Sequence, residues 1–139
     1  MPLRRDRKIE LLRKVSLFEH ASKQELARVA AIAAEVTYPQ GAAIVREGQY
    51  DDGFFIILHG EVDVRRKGRP LRTLGRGEFF GEIALLARGP RTATVTTGTP
   101  VEALRVSGKD FKDVLKKSPS LSLKVGEALA ERLSTTSVR

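Results

Sequence analysis

The sequence predicts an α+β fold, in which an antiparallel β-roll of jelly-roll type is flanked by an N-terminal helical segment and two C-terminal helices. Two observations predict it. Short apolar and β-branched runs alternate with Gly, Pro and Asp turns across about 35–106, a spacing typical of a small roll. On both sides of that region, apolar residues recur at helical spacing. The 139 residues suit a single domain, 1–139, with its C-terminal helices over about 107–133.

The N-terminal segment predicts two helices. Residues 7–15 carry apolar side chains on one side of a short basic helix. Ser22 and Glu25 have the spacing of a capping box, in which the serine caps free amides and the glutamate reaches back to the cap. Leu26 and Val29 then follow at helical spacing, so a second helix is predicted over 22–34.

Seven strands are predicted in the middle of the chain, each bounded by turn residues such as Lys67–Pro70 and Gly75–Gly77. They are Glu35–Tyr38, Ala43–Arg46, Phe54–Leu58, Glu61–Arg65, Leu71–Leu74, Thr92–Thr97 and Val101–Val106.

Two helices are predicted after the last strand. Ser107 is the expected cap of the first, and Ser118 with Pro119 starts the second. The last helix carries an apolar stripe that ends at Leu133, and Ser134–Arg139 has no pattern and is expected to fray.

Composition excludes several function classes. The absence of cysteine excludes disulfides and thiolate chemistry and favours a cytoplasmic setting. His20 and His59 are far apart and have no acidic residues at ligand spacing, so no metal site is predicted. No nucleophile elbow or Ser–His–Asp set is present, and we expect neither an enzyme nor a cofactor.

The formal charge of +8 favours an anionic partner such as a nucleotide, a nucleic acid or a membrane surface. The basic residues are spread along the chain, however, and most are expected on solvated faces. We therefore expect no sequence-specific nucleic acid partner and no membrane partner.

The densest cluster of special residues is 77–95. Gly77 and Gly81 permit tight turns and close approach of a ligand. Residues 82–86 favour a helix that Gly89 and Pro90 stop after one or two turns, and its free amides form an anion site. The guanidinium of Arg91 can clamp a phosphate there with two hydrogen bonds.

This cluster resembles the phosphate-binding cassette of cyclic-nucleotide-binding domains, as in catabolite activators and protein kinase regulatory subunits. The resemblance rests on the runs Phe80-Gly81-Glu82-Ile83-Ala84-Leu85-Leu86 and Pro90-Arg91-Thr92-Ala93-Thr94-Val95. Upstream residues match the β-roll pattern of the family, and the match covers about 15–130. They are Gly41, Ile44, Glu47, Gly48, Asp52, Phe55, Ile57, Gly60 and Val62.

The resemblance implies a role for each cassette residue. Arg91 neutralises the exocyclic oxygens of the cyclic phosphate, and Glu82 bonds the ribose 2′-hydroxyl. The backbone amides of Ile83 and Ala84 complete the phosphate cradle, and Gly81 lets the backbone come close. Two plainer interpretations compete: Arg91 as the ion-pair partner of Glu82, and Glu82 as a helix-start carboxylate.

The resemblance also implies the walls of the site. Val62, Leu74 and Val95 line the base and sugar, and Ala93 belongs to the same set. Thr92 lies near the phosphate and base, where a hydroxyl leaves cGMP open without excluding cAMP. Leu129 or Leu133 of the last helix is a candidate lid over the base, against the plainer interpretation of core or interface residues.

We therefore expect a regulatory sensor that binds a 3′,5′-cyclic nucleotide, with cAMP favoured, and that signals by moving its C-terminal helices toward a protein effector or tethered domain. One alternative is the ligand-binding part of a catabolite-activator-type transcription regulator without its DNA-binding part. Another is an interaction domain that has lost the ligand. A homodimer through the last helix also stays open.

Overall fold

The computed structural model describes residues 2–85 and 89–137, without the side chains of Ile83 and 132–137. Its described part has four α-helices and eight strands. The chain divides into a helical unit, 1–32 with 110–139, and a roll unit, 33–109. The helices are α1 (Arg5–Arg13), α2 (Lys23–Ile32), α3 (Gly108–Lys117) and α4 (Pro119–Ser137).

The strands form two antiparallel sheets of four strands each, as predicted for a β-roll. One sheet has the order β1-β8-β3-β6 and the other β2-β7-β4-β5. The strands are β1 (Ala34–Tyr38), β2 (Ala43–Val45), β3 (Phe54–His59), β4 (Val62–Arg66), β5 (Arg69–Leu74), β6 (Phe79–Phe80), β7 (Thr94–Thr97) and β8 (Val101–Val106).

The core of the roll unit comes from inward-facing residues of both sheets. Val64 pairs with Val95 across β4 and β7, and Val62 pairs with Leu74 across β4 and β5. Phe55 of the other sheet stacks on Phe80, with ring centroids 4.9 Å apart. These side chains belong to one buried apolar cluster, which stabilises the roll by removing apolar area from water.

The helical unit has its own buried contacts. Phe18, in the 3-10 helix Ser16–Phe18, meets the ring of Phe111 edge to face at 5.7 Å. The capping box is confirmed: Ser22 Oγ accepts from the Glu25 amide at 3.2 Å, and Glu25 Oε1 accepts from the Ser22 amide at 2.7 Å. Among the described residues, no helix has both the length and the apolarity needed to cross a bilayer.

The predicted break at Lys67–Pro70 was too long. Residues Lys67–Pro70 were expected as a break, but β5 begins at Arg69, so Lys67 and Gly68 alone form the turn. Pro70 is accommodated because β5 is an edge strand, where a missing amide costs no ladder hydrogen bond.

Most predicted boundaries shift by one or two residues, and three further differences have a physical cause. Strand β6 was not predicted, because two residues are too short a run to carry an alternating pattern. Strand β7 begins at Thr94 rather than Thr92, since the backbone at Arg91 bonds a loop instead. Helix α4 continues to Ser137, so the expected frayed tail was wrong as far as that residue.

Candidate anion site

The site is built where β6 ends and the chain turns into the 3-10 helix Glu82–Leu85. Gly81 makes this turn with φ +84°, in the left-handed region that favours glycine. A Cβ placed there would lie 2.7 Å from Nη1 of Arg91 and 2.7 Å from the carbonyl oxygen of Gly53. Gly81 is therefore required by both its backbone conformation and the closeness of its neighbours.

Arg91 is held by the loop between β2 and β3. Its amide donates to the carbonyl of Gln49 at 2.9 Å, and its carbonyl accepts from the amide of Gly48 at 2.8 Å. Both bonds tie the arginine's backbone to a loop about 40 residues earlier in the chain.

The guanidinium of Arg91 is buried, with its side chain 9% exposed. Nη2 lies 3.2 Å from Asp51 Oδ1 and donates to the carbonyl of Gly53. Nε is buried and has no hydrogen-bond partner among the described residues. Because a buried donor without a partner costs free energy, this edge of the guanidinium is a place for an acceptor atom.

Asp51 is the counter-ion of this arginine. Burial acts to raise its pKa, but hydrogen bonds from the Gly53 amide and Arg91 and the charges of Arg91 and Arg105 lower the pKa of the carboxyl below its ordinary value. Asp51 is therefore an anion that fixes the position of the guanidinium.

Arg105 of β8 extends the charge cluster. Its Nη2 lies 3.5 Å from Asp51 Oδ1 and 3.5 Å from Asp52 Oδ1, and its guanidinium carbon is 5.8 Å from the ring centroid of Phe55. Asp52 Oδ2 also accepts from the amide of Lys109 at 3.0 Å. Two arginines and two aspartates thus share one region of the roll.

The short helix supplies Glu82 and Ala84 beside this region. Glu82 is buried, at 8% exposure. The Ala84 amide, expected in a phosphate cradle, donates to the carbonyl of Gly81 at 3.0 Å in this structure. Leu86, which the predicted one-turn helix includes, lies outside the described residues together with Ala87 and Arg88.

The predicted walls of the site have different exposures. Val62, Leu74 and Val95 are buried, and Ala93 packs partly buried against the same cluster. Thr92 is exposed, and its carbonyl accepts from Arg66 Nε at 3.1 Å.

The predicted lid residues lie in α4, in the other unit. Leu129 is partly buried, and the side chain of Leu133 lies outside the described residues. Their role as a lid stays a prediction.

Sequence reasoning missed Asp51, Gly53 and Arg105. The signal available was a pair of acids in the loop before β3, of which only Asp52 was noted as a turn acid. Nothing local in the sequence joins that loop to Arg91, because the register of two sheets brings them together.

The sequence spacing predicted no metal site at the histidines, but the fold brings two carboxylates beside His20. Its Nε2 lies 3.2 Å from Glu131 and 3.6 Å from Glu19, since the helical unit brings α4 to this loop. All three side chains are exposed, and exposed acidic groups are common without a metal ion.

The chain has recognisable relatives among known proteins. A family model described as "Cyclic nucleotide-binding domain" matches residues 35–118. A cGMP-dependent protein kinase of Eimeria tenella is 37% identical over 115 residues, which are 83% of this chain and 12% of the kinase. A cAMP-dependent protein kinase regulatory subunit of Aspergillus fumigatus is 35% identical over 106 residues, 75% of this chain and 26% of that subunit.

A solved structure is similar along most of its length. The N-terminal domain of a transcriptional regulator from Streptomyces coelicolor A3(2) aligns with a TM-score of 0.82 and 32% identity, covering 91% of this chain and 94% of that one. The chain thus spans about a quarter or less of the kinase and the regulatory subunit but nearly all of this bacterial domain.

Proposed function

Since the chain belongs to the cyclic nucleotide-binding domain family, we propose that it binds a 3′,5′-cyclic nucleotide at the Arg91 site and acts as a regulatory sensor. cAMP is the favoured ligand, and cGMP is the alternative. One observation carries the proposal. The guanidinium of Arg91 is buried against Gly81, and its Nε has no hydrogen-bond partner among the described residues.

Burial makes this arginine selective. An exocyclic phosphate oxygen at Nε would complete the hydrogen bonding of the guanidinium, which already has Asp51 and the Gly53 carbonyl on Nη2. A charge-assisted hydrogen bond in a partly dry site is stronger than the same contact in water. The contact with Asp51 fixes the orientation of the Arg91 guanidinium, so the ligand binds to a group that is already ordered.

Glu82 and the apolar core supply the rest of the proposed site. We propose that the buried carboxylate of Glu82 accepts a hydrogen bond from the ribose 2′-hydroxyl, because a carboxylate would repel the phosphate itself. Val62, Leu74 and Val95 are buried in the core, so we propose that the partly buried Ala93 beside them offers apolar surface to the sugar and base, backed by these three side chains.

The relatives do not decide between the two nucleotides. They include a cGMP-dependent kinase and a cAMP-dependent regulatory subunit at nearly equal identity. The hydroxyl of Thr92 is the side chain that we expect to separate the ligands, since it can hydrogen-bond a guanine and is exposed next to Arg91.

We further propose that residues 1–139 act as one sensor domain in the cytoplasm, whose output passes through α3 and α4 to a protein effector or tethered domain. Similarity to the N-terminal domain of a transcriptional regulator supports a second candidate, the sensor part of a DNA-binding regulator.

Hydrogen exchange of α3 and α4 with and without nucleotide tests whether these helices respond to the ligand. Unchanged protection of both helices would contradict the proposed output.

We propose binding rather than catalysis as the activity. Chromatography of cAMP and cGMP after incubation with the protein should return both nucleotides intact, and formation of the 5′-monophosphates would contradict the proposal.

The decisive experiment is calorimetric titration of cAMP and cGMP into the wild type and into Arg91→Ala. Loss of a charge-assisted, buried contact should weaken binding by about 30- to 150-fold. Arg46→Ala is the matched control, because Arg46 is exposed at the end of β2 and should bind as the wild type does. Thr92→Ala in the same series measures the selectivity that its hydroxyl contributes.

Absence of wild-type binding to either nucleotide at millimolar concentration would overturn the proposal. Equal affinities of wild type and Arg91→Ala would show that the nucleotide binds elsewhere on the protein. Thermal unfolding of each variant establishes that a loss of binding is not a loss of fold.

A further inference from the structure

Four cations surround the turn between β4 and β5. One of them, Arg66, donates from Nε to the carbonyl of Thr92, next to the proposed nucleotide site. Arg65 and Arg66 end β4, Lys67 is in the turn, and Arg69 starts β5; we call these four the hairpin tip. All four residues are exposed, and among the described residues none of them lies in a salt bridge. The hairpin tip is therefore a compact, exposed positive surface, with the carboxylate of Glu47 bonded to the Lys67 amide.

Lys67 occupies the first position of the two-residue turn, where other residue types are usually found. Two-residue hairpin turns with φ positive at both positions strongly prefer Asn, Asp or Gly at the first. Here Lys67 has φ +52° and Gly68 has φ +76°, and the Lys67 amide donates to Glu47 Oε1 at 2.8 Å. The turn therefore holds a lysine side chain at the end of the hairpin in a backbone conformation that lysine seldom adopts.

An apolar side chain lies beside the cations. The register pairs Val64 with Arg72 and Arg65 with Pro70, which leaves Leu71 as the extra residue of a β-bulge. Leu71 is 51% exposed, and Pro70 is exposed next to it. Cations together with an exposed apolar side chain fit the boundary between lipid headgroups and acyl chains.

We propose that the hairpin tip docks on an anionic phospholipid surface, with its cations on the headgroups and Leu71 inserted beside them. The sequence alone favoured no membrane partner because its charges are spread along the chain, but the hairpin register collects four of them at one turn. Each exposed cation near an anionic leaflet adds attraction, and the apolar side chain adds burial.

The other anionic partners fit less well. A peptide strand added to the free edge of β5 would meet the missing amide of Pro70 and the bulge at Leu71. A nucleic acid would use the arginines but would gain nothing from an exposed leucine at the contact.

The test is flotation of the full chain with vesicles of phosphatidylcholine containing about 30% phosphatidylserine, at about 0.1 M salt. Lys67→Asn/Arg69→Gln removes two charges of the tip, and asparagine is tolerated at the turn position of Lys67. We expect this variant to bind about 30-fold more weakly and Leu71→Ser to bind several-fold more weakly.

The matched control is Lys116→Gln/Lys117→Gln, which removes two exposed charges from the end of α3. It should bind as the wild type does, apart from a change of about twofold from net charge. Far-UV dichroism and thermal unfolding establish that all variants are folded.

Three outcomes would overturn the proposal. They are no binding of the wild type to the anionic vesicles, equal weakening in the tip variant and the control, and tighter binding to a duplex DNA than to the vesicles at the same salt. None of them bears on nucleotide binding at Arg91, whose titration is a separate measurement.

Discussion

Two groups of arginines in the same roll are used in opposite ways. Arg91 is buried and held by Asp51, whereas Arg65, Arg66 and Arg69 at the hairpin tip are exposed and carry no salt bridge among the described residues. Removal of one partner of a buried pair costs several kcal/mol, while exposed pairs contribute about 0 to 1 kcal/mol. Burial therefore fits a guanidinium to one anion of defined shape, and exposure fits it to any anionic surface.

The largest effect is expected from crowding the buried arginine. Gly81→Ala adds a Cβ 2.7 Å from Nη1 of Arg91 at a backbone with φ +84°. We expect a loss of nucleotide affinity of more than about 100-fold and a free energy of unfolding lower by about 3 kcal/mol. Calorimetry and thermal unfolding measure the two effects.

Gly77→Ala is the control for this change. Gly77 has the same φ of +84°, but a Cβ there meets nothing within 4 Å. It should lower the free energy of unfolding by about 1 to 2 kcal/mol and leave nucleotide affinity unchanged. Equal loss of binding in both variants would mean that backbone strain, and not contact with Arg91, governs the site.

Glu25 of α2 sharpens the comparison, because it is a buried carboxylate with no proposed ligand role. Burial acts to raise its pKa, but hydrogen bonds from Lys124, Ser120 and Ser22 lower the pKa from 4.5 to about 2. Its contribution to stability is therefore complete above about pH 4.5 and is lost as the pH falls toward 2. At neutral pH this amounts to about 3 kcal/mol.

Glu25→Gln should lower the free energy of unfolding at pH 7 by about 2 to 3 kcal/mol and flatten its fall between about pH 5 and 2. Urea unfolding across that pH range is the measurement. Glu10→Gln, in an exposed pair with Arg7, should change stability by less than about 0.5 kcal/mol. A slope that is unchanged in Glu25→Gln would assign the acid sensitivity elsewhere, and Asp51 with its lowered pKa would be the next residue to test.

The smallest effect has the opposite sign. Lys67→Asn should raise the free energy of unfolding by about 0.5 kcal/mol, because asparagine accepts the left-handed turn more readily than lysine. Arg65→Asn, the same kind of change at a strand position, should give no gain. A loss of stability in Lys67→Asn would mean that the lysine stabilises its own turn and would weaken its assignment to docking.

Local patterns explain which parts of the fold could be predicted. Three kinds of feature depend on residues that are close in sequence, and the structure contains all of them. They are the capping box of Ser22 and Glu25, the apolar stripes of the helices and the seven longer strands. Strand β6 and the 3-10 helix Ser16–Phe18 are two and three residues long, so no period could develop in them.

The residues of the candidate site also differ in whether a local pattern identifies them. Gly81, Glu82 and Arg91 belong to one motif and could be named from it. Asp51 and Arg105 could not, because they join the arginine only through the pairing of β3 with β8 and the bonds between Arg91 and the loop before β3. The pairing of strands decides which residue lies beside a buried charge, and a local sequence pattern does not show that pairing.

The separation between Asp51 and Arg91 has a consequence for folding. The two members of this ion pair are 40 positions apart in the chain, so the pair can form only after a long loop has closed. The hairpin of β4 and β5, in contrast, needs only a two-residue turn. The entropy cost of closing the chain is therefore smaller for the hairpin tip than for the ion pair that orders the arginine, and it is larger still for the pairing of β1 with β8.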